Sequence, residues 1–378
     1  FAYDAAGNRT NVLRFADGAG TQLAGQSHYA FNRVGVMTDI LHANAAGDPL
    51  AEYHYERDPA QQIVQRLLNG QTADYGYDLT GQLSNALYSA GQPNESYVYD
   101  ANGNRVGGGY LVTTNSQIIA DGTYTYGYDA EGSLVARTNA ATGATTAYTF
   151  DYRNRLVSVV DKDVGRTLTQ TVEFTYDALN RRLAKSVNGA KAHFLYDADT
   201  IWADIGVAGS ATARYLLGHA TDQLLARYWP TRGVEWYLTD NIATVRDVCS
   251  ALGNTVQRIT FDCYGLLLVQ SLPAAGDRFL FAGREHDHET QMYYCRSRYY
   301  SPWLGRYIQE DPVRVCAKIT SDFGGSGTGP DARPEGGSVS PEILDRPRND
   351  ADGPVPPRPE GLGGFGSLVP RPRDCSSV

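Results

Sequence analysis

The sequence predicts an all-β protein built from consecutive antiparallel β-hairpins. Of its 378 residues, 26 are tyrosine and 40 are glycine, but only 2 are methionine. This bias favours half-buried strands joined by tight turns. An aromatic–aspartate pair followed by a turn also recurs along the chain at fairly regular intervals. Each interval leaves room for two ordinary strands and their connections, which is one hairpin.

Each copy of the repeat carries the pattern of one turn. The clearest copies are residues 77–81, 99–105, 128–132, 150–156, 176–183 and 196–197. The aromatic residue ends a strand, and the aspartate after it can accept hydrogen bonds from backbone N–H groups just ahead. A glycine or asparagine three or four residues later takes the positive φ that such a turn requires. We therefore interpret the repeated aspartates as turn formers rather than catalytic acids.

The part of the chain before the first clear copy follows the same pattern more loosely. Residues 29–35 and 53–55 look like degenerate repeats. Residues 59–68 are compatible with a short helix, but the repeats on either side favour a turn and a strand. The chain opens at Phe1 inside what already looks like a repeat, so we expect a fragment of a longer protein in which no signal segment is visible.

The bulk composition argues against several classes of function. The formal charge of −9 and the pI near 5.3 are unlike those of a protein whose main role is nucleic-acid binding. No apolar run is long enough to predict a membrane span. The cysteines are odd in number and widely spaced, which fits neither a zinc site nor a dense disulfide framework. They are Cys249, Cys263, Cys295, Cys316 and Cys375. We predict no cofactor and no metal.

Residues 277–312 differ from the rest of the chain. They are rich in aromatic residues and arginines and end on Asp311-Pro312. Beyond them the composition changes again, since the segment 313–378 is rich in proline and glycine and contains no tyrosine. Such a segment cannot bury enough apolar surface to offset the cost of ordering, so we expect a disordered tail.

The motifs of residues 277–312 stand in a fixed order. They are Gly283-Arg284-Glu285, then Tyr293-Tyr294, Arg296, Arg298 and Tyr299-Tyr300, then Pro302, Gly305-Arg306 and Asp311-Pro312. Upstream, residues 237–241, Val245-Arg246 and residues 261–265 lead into them. Together they resemble the core-domain signature of the Rhs (YD-repeat) family. The match extends from Tyr237 to Pro312, which makes it far more specific than a single Tyr-Asp pair.

The resemblance implies a domain order and a function. Residues 1–232 would be YD hairpin repeats, 233–312 the repeat-associated core domain, and 313–378 a Pro/Gly-rich tail in the position of a variable effector. The chain would then form part of a large, curved, hollow β shell of an exported protein, secreted or at the cell surface. Its partners would be its own C-terminal effector segment as cargo, a secretion or delivery machine and an immunity protein. The implied function is encapsulation and delivery by steric containment.

The resemblance also implies a possible self-cleavage site. Members of the family cut themselves shortly after the Asp-Pro motif with a pair of aspartates, because two close carboxylates that share one proton can act as base and acid. Asp311 matches one aspartate, but Ser301 occupies the position where the second is expected. Glu310 would point to the opposite side of an extended segment. The partner acid is therefore not identified, and a structural Asp-Pro turn is the competing interpretation.

Two other interpretations concern exposed groups. The tyrosine faces could stack on sugars, so an adhesion or carbohydrate-binding module stays an alternative. His286 and His288 would share one face of a strand with acids nearby, which could suit zinc, but a solvated polar loop is favoured.

If residues 293–300 form one strand, Arg296 and Arg298 share a face. We expect these arginines to stack on tyrosines and to pair with acids of the core.

Overall fold

A computed structural model describes residues 1–218, 223–273 and 277–310. Across these ranges the protein is almost entirely β, with neighbouring strands antiparallel and no α-helix. The predicted array of antiparallel hairpins is confirmed. A membrane-spanning helix is not found in the part of the chain that the structure describes.

The first sheet pairs nine strands in their order along the chain. Its strands are β1 Ala2–Tyr3, β2 Arg9–Phe15, β3 Leu23–Phe31, β4 Met37–Asn44, β5 Pro49–Arg57, β6 Ile63–Leu68, β7 Gln71–Tyr77, β8 Leu83–Tyr88 and β9 Glu95–Ser96. The ambiguous segment 59–68 thus forms a turn and strand β6, as the repeat pattern favoured. A two-stranded sheet follows, made of β10 Val98–Tyr99 and β11 Arg105–Val106.

The second sheet has sixteen strands, again in chain order. They are β12 Tyr110–Val112, β13 Ile118–Asp121, β14 Tyr124–Tyr128, β15 Leu134–Asn139, β16 Thr145–Phe150, β17 Leu156–Lys162, β18 Leu168–Tyr176, β19 Arg182–Val187, β20 Ala190–Asp197, β21 Thr200–Ile205, β22 Ala211–Leu217, β23 Leu224–Trp229, β24 Gly233–Thr239, β25 Val245–Ser250, β26 Thr255–Phe261 and β27 Leu267–Gln270.

A third, four-stranded sheet is built from the signature segment. Its strands are β28 Glu285–Asp287, β29 Met292–Cys295, β30 Arg298–Ser301 and β31 Arg306–Tyr307, preceded by a 3₁₀ turn at Phe281–Gly283. We call residues 277–310 the plug. Residues 293–300 do not form one strand, the condition under which Arg296 and Arg298 would share a face, because a tight turn with Arg296 at φ 64° separates β29 from β30. Arg296 lies in that turn and Arg298 begins the next strand.

The turns form as the repeated aspartates predict. Asp100 Oδ1 accepts the N–H groups of Asn102 and Asn104, both at 2.9 Å, while Gly103 takes φ 79°. In a later repeat, Asp177 accepts two N–H groups in the same way and Asn180 takes φ 66°. The carboxylate thus satisfies backbone donors that the bend removes from the strand ladder.

The tyrosine of the repeat adds a contact that the sequence did not reveal. Its hydroxyl donates a hydrogen bond to a backbone carbonyl of the preceding repeat. The acceptor is the first residue of the strand that follows the preceding repeat's turn. The pairs are Tyr77 with Ile63 (2.8 Å), Tyr99 with Leu83 (2.7 Å), Tyr128 with Ile118 (2.8 Å), Tyr176 with Leu156 (2.7 Å) and Tyr196 with Arg182 (3.1 Å). Each tyrosine therefore ties its own repeat to the previous one.

A second ladder runs through the turns themselves. The side chain four residues after the turn aspartate donates a hydrogen bond to the positive-φ residue of the next turn. Its members are Gln62 to Gly81 O (3.1 Å), Gln82 to Gly103 O (3.4 Å), Ser133 to Asn154 Oδ1 (2.9 Å) and Arg155 to Asn180 Oδ1 (3.0 Å). Both ladders follow the chain order and link nearest-neighbour repeats.

Both faces of the plug are buried against the second sheet. Tyr294 and Tyr299 join a core with side chains from β13 to β18, including Phe174. Tyr293 and Tyr300 join another core with side chains from β20 to β26. The strands of one continuous sheet therefore pack on opposite faces of the plug. The first sheet has a core of its own.

Candidate functional site

The signature residues fall within the plug and its turns. Gly283 closes the 3₁₀ turn and is followed by Arg284. The strands hold Glu285 (β28), Tyr293 and Tyr294 (β29), Arg298, Tyr299 and Tyr300 (β30) and Arg306 (β31). The β29–β30 turn holds Arg296, and the β30–β31 turn holds Pro302 and Gly305. Asp311 and Pro312 lie outside the described residues. The predicted catalytic role of Asp311 therefore stays a prediction.

Two glycines let the plug and the second sheet interlock. A Cβ on Gly265 would lie 2.5 Å from the ring of Phe281, and one on Gly305 would lie 2.6 Å from the ring of Tyr264. Both glycines also have positive φ, at 88° and 68°. Tyr293 hydrogen bonds to the carbonyl of the same Gly265 at 2.7 Å. A side chain at either glycine would push the plug off the sheet.

The two ends of the plug are held by backbone hydrogen bonds. The N–H of Val245 donates to the carbonyl of Leu280 (3.1 Å) at the entry, and the N–H of Leu134 donates to that of Ile308 (2.8 Å) at the exit. Val245 and Leu134 each begin the strand after a repeat turn. In both cases the next repeat has phenylalanine, not tyrosine, before its aspartate (residues 261–262 and 150–151). The plug thus docks at two places where the tyrosine contact is absent.

A buried ion network joins the plug to β19. The guanidinium of Arg182, only 1% exposed, pairs with Asp287 and with Glu285 (2.7 Å), and Lys185 pairs with Asp287 at 3.2 Å. Burial opposes ionisation of Asp287, but Arg182 and Lys185 outweigh it and lower the pKa of this carboxyl to about 2. The expectation of a solvated loop is wrong for His286 and Asp287, which lie buried on strand β28, whereas residues 288–291 form a turn with His288 exposed.

Two further arginines extend the network. Arg278 pairs with both Glu285 and Asp204 of β21. Arg227 on β23 pairs with Glu235 (2.7 Å) and with Asp277 (3.0 Å) at the start of the plug. Burial raises the pKa of Asp277 to about 6, although Arg227 opposes this shift. These ion pairs hold the plug in one register, since a slip would leave buried charges without partners.

The arginines of the signature also bind within the protein. Arg298 stacks on the ring of Tyr307, 3.8 Å from its centroid, as expected. Arg306 donates to the carbonyl of Ser116 at 2.6 Å and to Asn104 at 3.3 Å. These contacts of Arg306 fix β31 to the β10–β11 turn and to the β12–β13 turn.

Ser301 has a structural place at the predicted cleavage site. It is fully buried, its Oγ accepts the N–H of Leu304 (3.2 Å), and its carbonyl accepts that of Gly305 (2.8 Å). These bonds close the turn between β30 and β31. A serine in this role supplies no carboxylate to share a proton with Asp311. Glu310, the last described residue before Asp311, is exposed.

A buried Ser–His pair escaped the sequence analysis. Arg14 donates to Ser27 Oγ (2.7 Å), Ser27 lies 2.5 Å from His42 Nδ1, and His42 Nε2 lies 3.0 Å from the carbonyl of Thr239. Ser27 and His42 are completely buried, so no substrate can reach them. The chain of bonds links the first sheet to the second. The scattered histidines of the sequence gave no signal for it.

The comparisons with known proteins match this architecture. The profile of the teneurin YD-shell family matches residues 51–322. The tRNA3(Ser)-specific nuclease WapA of Bacillus spizizenii is 24% identical over 285 residues, covering 74% of this chain and 10% of that protein. The toxin protein Tse5 of Pseudomonas aeruginosa is 25% identical over 308 residues, covering 63% of this chain and 23% of that protein.

A solved structure aligns with most of this chain. A chain of the TcdB2-TccC3-TEV crystal structure aligns with a TM-score of 0.47 and 15% identity, covering 82% of this chain and 20% of that chain. The present chain spans about a tenth of the length of the WapA relative.

Proposed function

The chain belongs to the teneurin YD-shell family, and from this premise we propose that it is the wall and plug at the end of a shell that contains a C-terminal polypeptide. The YD-shell family and the toxin relatives support a shell role of this general kind. The contained polypeptide would be the segment that follows the plug. Its containment would be steric, and the chain would itself catalyse nothing.

One observation carries the proposal. The plug has both faces buried against one sheet, and its exit is held by backbone and side-chain bonds. Ile308 accepts the N–H of Leu134, and Gln309 Oε1 accepts the N–H of Tyr299 at 3.1 Å. A pull on the following segment would therefore load buried hydrogen bonds and ion pairs before it could move the chain. Such an anchor suits a polypeptide that is held until delivery.

Limited proteolysis tests the proposal on the full chain. Gly305→Ala should unseat the plug because its Cβ meets the ring of Tyr264, and the segment 313–378 should then be cut faster than in the wild type. Gly143→Ala is the matched control, since Gly143 also has positive φ (74°) but nothing within 4 Å of an added Cβ. Equal cutting rates for segment 313–378 in the wild type and Gly305→Ala would overturn the containment role of the plug.

Self-cleavage is a separate proposal. It needs a second carboxylate near Asp311, and the position expected for it holds Ser301, whose hydroxyl closes a turn. If Asp311 does cut the chain, the plug would stay bound after the cut, because the contacts described for residues 277–310 precede residue 311. Release of cargo and retention of the plug would then be separate events.

A further inference from the structure

The end of the plug crosses a row of repeat turns at one edge of the second sheet. Arg306 donates to the carbonyl of Ser116 at 2.6 Å, in the turn between β12 and β13. Two residues later, Ile308 accepts the N–H of Leu134 at 2.8 Å, just after the next turn of the row. The chain therefore advances along the row in the order of the repeats.

The next residue continues in the same direction and brings the chain to the surface. Gln309 is buried, and its side chain donates to the carbonyl of Asn154 (3.5 Å), one turn further along. Glu310 is exposed, and its carboxylate lies against Gly132 of the turn before. Asn154 is only 6% exposed, and its Nδ2 finds no acceptor in the part of the chain that the structure describes. A buried donor is thus available where the chain emerges.

Two consecutive turn tips at this place are large, apolar and exposed. Tyr152, in the turn that holds Asn154, is 87% exposed, and Leu179, in the turn after it, is 69% exposed. Arg153 joins them, because its guanidinium lies 5.5 Å from the centroid of the Tyr152 ring and donates to the carbonyl of Ala178 at 3.3 Å. We call Tyr152 and Leu179 the edge patch.

The segment best placed to cover the edge patch is the one that follows the plug. Neighbouring turns of the row are two strands apart, which is about 10 Å, and about three extended residues span this distance. Val313 and Val315 come directly after Asp311-Pro312, and a spacing of two puts both valines on one side of an extended chain. Arg314 between them would face the solvent.

We propose that residues 313–315 dock on the edge patch as an extended strap, with one valine against each of its two side chains. The strap deepens the containment role and rests on it, since both concern the segment after the plug. The plug anchors the chain before residues 311–312 and the strap anchors it after them. A second copy is a poor occupant, because two side chains bury far less than the ~800 Å² per partner of a standard interface.

Trypsin cleavage of the full chain, followed by intact mass, tests the strap. Arg314 lies inside the strap and Arg348 lies far beyond it, so each molecule carries its own reference site. In Tyr152→Ser/Leu179→Ser, cutting after Arg314 should be about three- to tenfold faster than in the wild type, because cutting tracks the population of the undocked form. Cutting after Arg348 should not change.

Val34→Ser/Leu79→Ser is the matched control, since both residues are exposed turn tips of the first sheet, away from the exit. The control should be cut at Arg314 as slowly as the wild type. The strap is disproved if Tyr152→Ser/Leu179→Ser is cut there at the wild-type rate, or if the control is accelerated equally. Either result leaves the Gly305→Ala test of the plug untouched, so the two proposals fail separately.

A photo-cross-linker identifies the occupant of the edge patch. With Tyr152 replaced by p-benzoylphenylalanine, illumination should join position 152 to a peptide that contains residues 313–315 of the same chain. A cross-linked dimer would assign the patch to a second copy and overturn the strap. A monomer without a cross-link to these residues would overturn it as well.

Discussion

At the scale of single residues, the repeat tyrosine and its aspartate have distinct tasks. The aspartate satisfies N–H groups inside its own turn, whereas the tyrosine hydroxyl satisfies a carbonyl of the preceding repeat. Tyr128, for example, donates to Ile118 O at 2.8 Å. A phenylalanine fills the same apolar space but leaves that carbonyl without its donor, which costs the desolvation of one buried acceptor.

Tyr128→Phe should therefore lower the free energy of unfolding by about 1–3 kcal/mol. Tyr152→Phe serves as the control because Tyr152 is 87% exposed, and it should change stability by less than about 0.5 kcal/mol. Chemical denaturation of the three proteins gives both differences. Equal stabilities of Tyr128→Phe and the wild type would mean that water replaces the hydroxyl.

His42 links the stability of the protein to pH. Burial and the nearby Arg14 lower its pKa from 6.5 to about 3, so the folded protein keeps the ring neutral. Unfolding then takes up a proton between pH 3 and 6.5, and the contribution of His42 to stability rises with pH across this window by up to about 1.4 kcal/mol per unit. Above pH 6.5 the contribution is constant.

The stability difference between the wild type and His42→Gln should accordingly be about 2 kcal/mol smaller at pH 5 than at pH 7.5. Taking the difference cancels the opposite effect of the buried Asp247, Asp262 and Asp277, whose pKa values are raised by burial. His54→Gln, at a half-exposed site, is the control. A difference that does not change with pH would show that His42 stays accessible to protons.

At the scale of elements, the plug is held by charges as well as by aromatic packing. Arg182 on β19 reaches Glu285 and Asp287 on β28, a strand far from it along the chain. A buried ion pair of this kind contributes more to register than to net stability, because desolvation of the two ions offsets much of their attraction. Removal of only one partner leaves a buried charge behind.

Arg182→Met should therefore destabilise the protein by about 3–5 kcal/mol, and the double variant Arg182→Met/Asp287→Leu should recover part of this loss. The adjacent Arg181 provides a matched control, since its pair with Asp177 is partly exposed. Arg181→Met should cost less than about 1 kcal/mol. Denaturation of the wild type, Arg182→Met, Asp287→Leu and the double variant measures the coupling, and additive effects of Arg182→Met and Asp287→Leu would contradict it.

At the scale of the whole molecule, contacts between neighbouring repeats build the sheets, and contacts across long sequence separations seat the plug. The two ladders of hydrogen bonds join each repeat only to the next. The entry bond from Val245 and the exit bond from Leu134 instead join the plug to two distant repeats. A chain organised this way presents its last described residues, up to Glu310, at a fixed place on the wall.

The intact mass of the expressed chain tests the last of the site predictions. Because Ser301 supplies no second carboxylate, we expect one uncut mass for both the wild type and Asp311→Asn. A break after Asp311 in the wild type that is absent in Asp311→Asn would show an active protease and a second acid elsewhere. If the wild type is uncut, Ser301→Asp is the next variant to measure, since it restores the carboxylate at the expected position.

The sequence alone determined the all-β hairpin array, its turn chemistry and the family of the chain. These features follow from short-range patterns, namely the turn aspartate, the positive-φ glycine or asparagine and the alternation of side chains. Each pattern acts within a few residues, so it can be recognised directly from the sequence. For the same reason the motif order of the plug was recognisable before its structure. The roles of Asp311 and of the signature residues in a site were also predicted from that order, and they stay predictions.

Only the tertiary structure decided which distant groups meet. The sequence predicted a solvated loop at residues 285–289, which was wrong for the buried His286 and Asp287, and it did not reveal the turn at Arg296 that divides residues 293–300. Burial against β19 and that turn were not visible in the local pattern. The pairing of Arg182 with Asp287 and the bond from His42 to Thr239 leave no periodic trace either. Such contacts depend on how two long sheets place side chains from remote repeats side by side, and that placement is a property of the packed molecule.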